Sequence, residues 1–235
     1  MANNKRLFLS LSEEDVARLD VLRTELGMNR SQYIRYVLSG QKKKLVPSMD
    51  KVCRKLLCDE LVSDKIVGVI DVGDNNIFWK PDIDLLLVNK FYKLTTLELK
   101  ADGYDADRSG VRRVFLEYIG NDNRYLSTNG VEGRGNVFKC KAEFFVFYFI
   151  KTDQYLIMKT KQLQEWLEKN QNKYPVKNSP TRGYNGEVLY NTWGVLVPVK
   201  VLIEEVEAEL VDSRLKYKAY EAAYLKEQNA KKNKK

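Results

Sequence analysis

Residues 81–100 read Pro-Asp-Ile-Asp-Leu-Leu-Leu-Val-Asn-Lys-Phe-Tyr-Lys-Leu-Thr-Thr-Leu-Glu-Leu-Lys, and this stretch decides how we interpret the chain. Two apolar runs, residues 83–88 and 94–99, predict a hairpin of antiparallel strands with a polar turn around Asn89-Lys90. Because strand side chains alternate, Asp82 and Asp84 are expected to share one face, as are Glu98 and Lys100. Buried charge is costly unless it is paired or bound to a metal, so the sequence predicts a functional cluster here.

The composition limits the chemistry that such a cluster could perform. The 235 residues can form one full domain plus a smaller module, and they contain no histidine. This excludes histidine-dependent triads and His-ligated zinc hydrolases. The three cysteines show no C-x-x-C spacing, which favours a reducing cytoplasm. We expect no membrane segment and no signal peptide.

Positive charge is concentrated towards the two ends of the sequence. The formal net charge is +8, with an excess of lysine and arginine in residues 1–44 and again in residues 212–235. Basic flanks around a near-neutral middle predict a polyanionic partner, although terminal lysines that only aid solubility would give the same pattern.

The first segment alternates Leu7, Leu9 and Leu11 with polar and aromatic residues. A helix is predicted to start at Ser12 and end at Gly27, and residues 29–31 cap a second helix. This strand-helix-helix pattern resembles a ribbon-helix-helix DNA-binding domain. The resemblance implies a homo-oligomer bound to double-stranded DNA, in which two chains pair to form the ribbon. Whether the whole protein is a dimer or a tetramer stays open, and a module that only dimerises is the alternative. The resemblance implies that the strand residues Arg6, Phe8 and Ser10 face the bases. It also implies that Asn29, Arg30 and Ser31, at the start of the second helix, face the DNA backbone.

Patterns further along the chain predict the remaining elements. Ser48 caps a helix over 49–61, residues 45–211 form a core, and a basic tail from 212 is helical at first. The predicted strands are 66–71, which is expected to be buried, 114–119, 144–150 and 155–158. A helix is predicted over 161–170, and residues 195–201 and 202–211 complete the core. Loops are predicted over 101–110 and 121–136, and a surface excursion over 174–190.

Pro81-Asp82 followed after fifteen residues by Glu98-Leu99-Lys100 matches the signature of the PD-(D/E)XK nuclease superfamily. Nowhere else in the chain does an acidic residue stand two positions before a lysine. The resemblance implies an α+β chain, in which a ribbon-helix-helix module (1–44) precedes a restriction-endonuclease-like core with a mixed central sheet.

The resemblance also implies a role for each residue of the motif. Asp84 or Asp82, Glu98 and the Leu99 carbonyl would ligate Mg²⁺ (or Mn²⁺), and Asp84 is slightly favoured over Asp82. Lys100 would orient or deprotonate the attacking water and stabilise charge on the phosphate. Glu117 and Glu60 are accessory candidates, each of which could equally be an ordinary solvated or paired glutamate.

The sequence therefore predicts a Mg²⁺-dependent DNA endonuclease of homing or restriction type, similar to compact phage or mobile-element nucleases. One alternative is a non-catalytic DNA-binding regulator or plasmid accessory protein with a degenerate nuclease fold. Another is a structure-specific junction or flap nuclease whose first module only dimerises.

Overall fold

A computed structural model describes residues 48–79, 81–103, 111–130, 132–182 and 187–232, and the isolated positions 12, 13, 16, 17, 20 and 21. The chain divides into two compact units, residues 1–46 and 47–235. In the first unit, Glu13, Val16, Ala17, Asp20 and Val21 are helical. The Val16 N–H donates to the Ser12 carbonyl, as expected for a helix that begins at Ser12.

The second unit contains both helices and strands along its described residues. Its helices are α1 (Met49–Glu60), α2 (Asn76–Trp79), α3 (Asp122–Ser127), α4 (Asn136–Lys139), α5 (Thr160–Asn170), α6 (Val199–Glu205) and α7 (Tyr217–Lys232), with a 3₁₀ turn over Gln171–Lys173. Its strands are β1 (Ile66–Asp71), β2 (Leu85–Asn89), β3 (Leu94–Asp102), β4 (Arg113–Ile119), β5 (Phe144–Phe149), β6 (Gln154–Lys159), β7 (Val176–Arg182), β8 (Val188–Pro198) and β9 (Glu209–Asp212).

Six strands form a mixed central sheet in the order β1-β2-β3-β5-β6-β9. The predicted hairpin is present, with Leu85 opposite Leu97 and Val88 opposite Leu94. At its turn, the Asn89 side chain accepts hydrogen bonds from the N–H groups of Phe91 and Lys93. Strand β3 then pairs in parallel with β5, whereas the other neighbours in this sheet are antiparallel. The predicted α+β class with a mixed sheet is therefore confirmed.

The two faces of this sheet carry separate hydrophobic cores. Leu97 and Leu99 of β3 pack with α1 and with Tyr217 of α7. On the opposite face, Phe145 and Phe147 of β5 pack against α5 and against a three-stranded sheet, β4-β8-β7. Alternation along β3 consequently turns Glu98 and Lys100 away from α1.

Several predicted elements differ from the structure. Strand β1 is an edge strand with exposed Val67 and Ile70, although it was predicted to be buried. The predicted loop over 121–136 contains α3, and Ala101 and Asp102 extend β3. The predicted surface excursion over 174–190 is largely a hairpin, because β7 pairs with β8 from Val176 to Arg182.

The segment predicted to be a basic tail is part of the second unit's packing. Asp212 ends β9, which pairs with β6, and α7, the helix predicted for the start of this segment, lies against α1. Lys55 of α1 forms an ion pair with Glu227 of α7 at 2.6 Å. Within the described residues, no helix has the length and apolar character needed to cross a bilayer.

Candidate active site on strand β3

The predicted carboxylates surround the middle of β3, but two of them reach it in an unexpected way. Asp82 and Asp84 precede β2 and do not lie inside it, since the strand begins at Leu85. Asp82 has a φ of 49°, in the left-handed region, so the two aspartates do not follow the period of a strand. The prediction that they share one strand face is therefore wrong. Their approach to β3 comes from a turn that directs them there.

Asp84 is held against β3 by its backbone and its side chain. Its N–H donates to the Leu97 carbonyl at 2.8 Å, and its Oδ2 accepts from the Leu99 N–H at 3.0 Å. Leu97 and Leu99 thus direct their backbone polar groups towards Asp84, and the Leu99 carbonyl faces the same side. The aspartate therefore caps the edge of β3 where pairing with β2 ends.

Arg54 of α1 approaches Asp84 from the other side. Its Nη1 lies 3.5 Å from Asp84 Oδ1, and its Nε donates to Asp71 Oδ1 at 2.9 Å. A Cβ at Gly73 would come within 2.5 Å of Asp84 Oδ1 and 2.6 Å of Arg54 Nε, so this contact requires glycine at position 73. Burial raises the pKa of Asp84, while the hydrogen bond from Leu99 and the charge of Arg54 counteract that rise.

Glu98 and Lys100 form a close pair on the same face of β3. Lys100 Nζ lies 2.8 Å from Glu98 Oε1, and Glu98 is only 3% exposed. Burial raises the pKa of Glu98 to about 7 in spite of Lys100, and the Asp84 carboxylate adds to the rise. Burial alone would lower the pKa of Lys100, but attraction to Glu98 outweighs it and raises that pKa. The lysine therefore stays a cation, and the glutamate takes up a proton as the pH falls through about 7.

Asp82 and Glu117 lie close enough to Lys100 for its charge to affect their pKa values. Burial raises the pKa of Asp82, with Lys139 and Lys100 opposing the rise and Asp84 adding to it. Burial also raises the pKa of Glu117, which is likewise opposed by Lys100 and Lys139. We call Asp82, Asp84, Glu98, Lys100 and Glu117 the β3 cluster. The structure brings these five predicted residues into one electrostatic neighbourhood.

Three residues that border the β3 cluster carry no signal in the sequence. Lys139 belongs to α4, and Arg54 to α1, far from the motif in the chain. Asp50 of α1 accepts a hydrogen bond from the Ala101 N–H at 2.8 Å. No spacing rule links these positions to residues 81–100, so their roles become visible only in the folded chain. Glu60, by contrast, lies apart from the β3 cluster, where it binds the N–H groups of Arg214 and Leu215.

The carboxylate oxygens of the β3 cluster are the type of ligand that a hard cation binds, but they are not arranged around one point. Across the described ranges, no group of three or more Asp, Glu or Cys side chains is placed to hold one metal ion. Yet Asp82 Oδ2 is a buried oxygen without a hydrogen-bond partner among those residues. An orphaned carboxylate oxygen beside further carboxylates is the kind of ligand that Mg²⁺ takes, usually with retained waters and one or two carboxylates.

Comparison with known proteins bears on the first unit. Residues 5–44 match a family model described as ribbon-helix-helix protein, copG family. The match supports the predicted N-terminal ribbon-helix-helix domain, and proteins with this domain bind DNA and usually dimerise. Neither the curated proteins nor the solved structures gave a match to this chain. The proposed DNA contacts of Arg6, Phe8, Ser10, Asn29, Arg30 and Ser31 lie outside the described residues.

Proposed function

We propose that this protein is a Mg²⁺-dependent DNA endonuclease whose ribbon-helix-helix domain docks it on duplex DNA as a dimer. The observation that carries the proposal is the convergence at Leu99. Its N–H binds Asp84, and its two strand neighbours, Glu98 and Lys100, pair with each other at 2.8 Å. Two carboxylates and a lysine therefore flank one backbone position, an arrangement suited to phosphodiester hydrolysis.

The element order supports a restriction-endonuclease-like core. Helix α1 precedes an antiparallel run of β1, β2 and β3, and β3 then pairs in parallel with β5. The aspartates precede β2 and the Glu-x-Lys segment lies in β3. This is the order that the superfamily resemblance implies for residues that carry its motif.

In this proposal Asp84, Glu98 and the Leu99 carbonyl would hold Mg²⁺, and Asp82 is a further candidate ligand. The ion would supply Lewis acidity and a bound water of lowered pKa. Lys100 is held as a cation by Glu98, so it would donate hydrogen bonds to the scissile phosphate and stabilise its developing charge. A protonated lysine is a poor base, which favours charge stabilisation over deprotonation of water as its role.

The decisive experiment separates DNA binding from DNA cutting. Duplexes from a random-sequence pool are first selected by binding to the full chain in EDTA, and Mg²⁺ or Mn²⁺ is then added. We expect the wild type to cut the selected duplexes, and Glu98→Ala and Lys100→Ala to bind them without cutting. Lys161→Ala and Glu165→Ala remove an exposed pair of the same charges on α5 and serve as matched controls.

Equal cutting by wild type and both cluster variants would refute the assignment of the site. Intact selected DNA in both metals would instead favour a non-catalytic DNA-binding protein. One observation favours that second candidate, because the carboxylates in the described residues are not gathered as a ready-made metal site. A degenerate nuclease fold that serves assembly would retain the Glu98–Lys100 pair as an ordinary buried ion pair.

A further inference from the structure

A second concave site lies beside β4, and the proposed chemistry does not use it. Its volume is about 250 Å³, slightly below the range of about 300–1,000 Å³ that is common for small-ligand pockets. The rings of Tyr118, Tyr125 and Phe138 line it together with the side chains of Arg134, Gln171 and Asn172. Aromatic faces and amides meet here in a space too small for a peptide or a second domain.

The aromatic rings come from separate elements that are fixed against one another. Tyr118 lies in β4, Tyr125 in α3 and Phe138 in α4. Burial and the neighbouring Tyr125 raise the pKa of Tyr118, so its phenol stays a neutral hydrogen-bond donor. All three side chains are only partly buried and line the pocket, where an aromatic ring can stack on a planar ligand.

Glycines fix the wall that carries Tyr125 and Arg134. A Cβ at Gly130, where φ is 81°, would lie 3.2 Å from the Tyr125 ring. Gly133, with φ 74°, leaves no room for a Cβ beside the Asn121 carbonyl and the Tyr125 N–H. The wall is therefore a close-packed surface whose shape exists before any ligand binds.

The polar side of the pocket, which also includes Glu168, contains one acceptor without a partner in the described part of the chain. Gln171 Oε1 is buried and has no hydrogen-bond partner among the residues that the structure describes. A buried acceptor without a partner is unfavourable by an amount comparable to a lost hydrogen bond, so a ligand N–H would satisfy it. Arg134 lies at the exposed rim, 6.0 Å from the Phe138 ring, and offers a cation to a phosphate.

We infer that this pocket binds an unpaired nucleobase, with its ring against Tyr118, Tyr125 or Phe138 and an edge N–H donated to Gln171 Oε1. A nucleobase is the ligand that combines a flat π-face, an N–H edge and an attached phosphate. The inference rests on the proposed function only in taking nucleic acid as the partner. Glu117 of the β3 cluster immediately precedes Tyr118 on β4, so the base site and the proposed cutting site share this strand.

The test measures binding in EDTA, where no cleavage takes place. The full chain is titrated into a fluorescein-labelled single-stranded oligonucleotide and into an abasic oligonucleotide with the same phosphates. We expect the wild type to bind the base-containing strand at least about fivefold more tightly, the lower bound for one stacked base. Tyr125→Ala and Gln171→Met should remove that preference. Tyr92→Ala, which removes a tyrosine 85% exposed at the β2–β3 turn, should retain it.

Two competitors distinguish the sources of the base. If adenosine monophosphate displaces the oligonucleotide and ribose 5-phosphate does not, the pocket is a nucleobase site that also accepts free nucleotides. The absence of any preference for the base-containing strand would overturn the inference, as would a preference that survives both pocket variants. Duplex binding, measured in parallel, reports on the ribbon-helix-helix domain. Failure of the proposed nuclease would appear only after metal is added, so the two failures are distinguishable.

Discussion

Glu60 and Glu98 are both buried in the second unit, at 6% and 3% exposure, yet their surroundings differ in kind. Glu60 accepts hydrogen bonds from the N–H groups of Arg214 and Leu215, at 3.0 and 3.1 Å, and from the Arg214 side chain. Glu98 has Lys100 as its ion-pair partner and further carboxylates nearby, and its pKa rises to about 7 by burial. Glu60 is a carboxylate satisfied by the fold, whereas Glu98 still has capacity for a ligand.

The largest expected effect concerns activity at the less satisfied glutamate. Lys100→Ala and Glu98→Gln should each lower the single-turnover cleavage rate by about 10²–10⁴-fold, the range for loss of a positioned catalytic group. Glu60→Gln should leave the rate of the folded fraction within about twofold. Quenched-flow cleavage of the selected duplex measures all three variants. Comparable losses at Glu60 and Glu98 would remove the distinction between the two glutamates.

The second prediction concerns stability, and here the larger effect is expected at Glu60 and not at Glu98. Glu60→Ala should destabilise the protein by about 2–4 kcal/mol, because the Arg214 N–H loses its acceptor and the Leu215 N–H keeps only Ser213 Oγ, at 3.3 Å. Urea unfolding at pH 7.5, followed by tryptophan fluorescence, measures the change. Asp59→Ala on the same helix provides the control, since that carboxylate bonds to the exposed Tyr220 hydroxyl. A change below about 1 kcal/mol at Glu60 would show that the fold does not depend on this carboxylate.

The third prediction follows from the raised pKa of Glu98. Because the folded pKa of about 7 exceeds the ordinary value of 4.5, the protonated glutamate stabilises the fold below pH 4.5. That contribution is lost as the pH rises through about 7. Glu98→Gln should therefore be more stable than wild type at pH 8, by up to about 3 kcal/mol at about 1.4 kcal/mol per pKa unit.

Urea titrations from pH 4.5 to pH 8 measure this difference, with Glu60→Gln as the matched control. The wild type and Glu98→Gln should converge at the acidic end. A constant gap across the range would mean that Glu98 does not titrate near neutrality.

The smallest expected effect is stabilisation by metal. Mg²⁺ at about 100 times its Kd would contribute about 2.7 kcal/mol, which corresponds to a Tm increase of several degrees for a domain of this size. We expect that increase at pH 8, where Glu98 is ionised, and a smaller one at pH 6. Differential scanning calorimetry in EDTA and in Mg²⁺ measures it. Glu98→Gln should show little increase, whereas Glu60→Gln, once folded, should respond like wild type.

Local patterns predicted the elements whose sequence signals agree with their surroundings. Three features were predicted correctly because each depends on neighbours in the chain. They are the cap at Ser48, the hairpin of β2 and β3, and the strand face shared by Glu98 and Lys100. Asp82 was misplaced because the alternation was extended through a turn of positive φ. Strand β7 was missed because it is mostly exposed and contains Pro180, so its pairing with β8 determines its conformation. Lys139 and Arg54 reach the β3 cluster only through tertiary structure.

The parallel pairing of β3 with β5 has a consequence for the order of folding. The two strands cannot be joined by a tight turn, and the segment between them carries β4, α3 and α4. Closing so long a loop is slow, since its entropy is lost before the strand contacts form. Glu117 and Lys139 lie in this crossover segment, whereas Asp84 and Glu98 belong to the local hairpin. We therefore expect the hairpin to form early and its carboxylates to acquire their full electrostatic setting only in the last stage of folding, so a nascent or misfolded chain would carry an unfinished site.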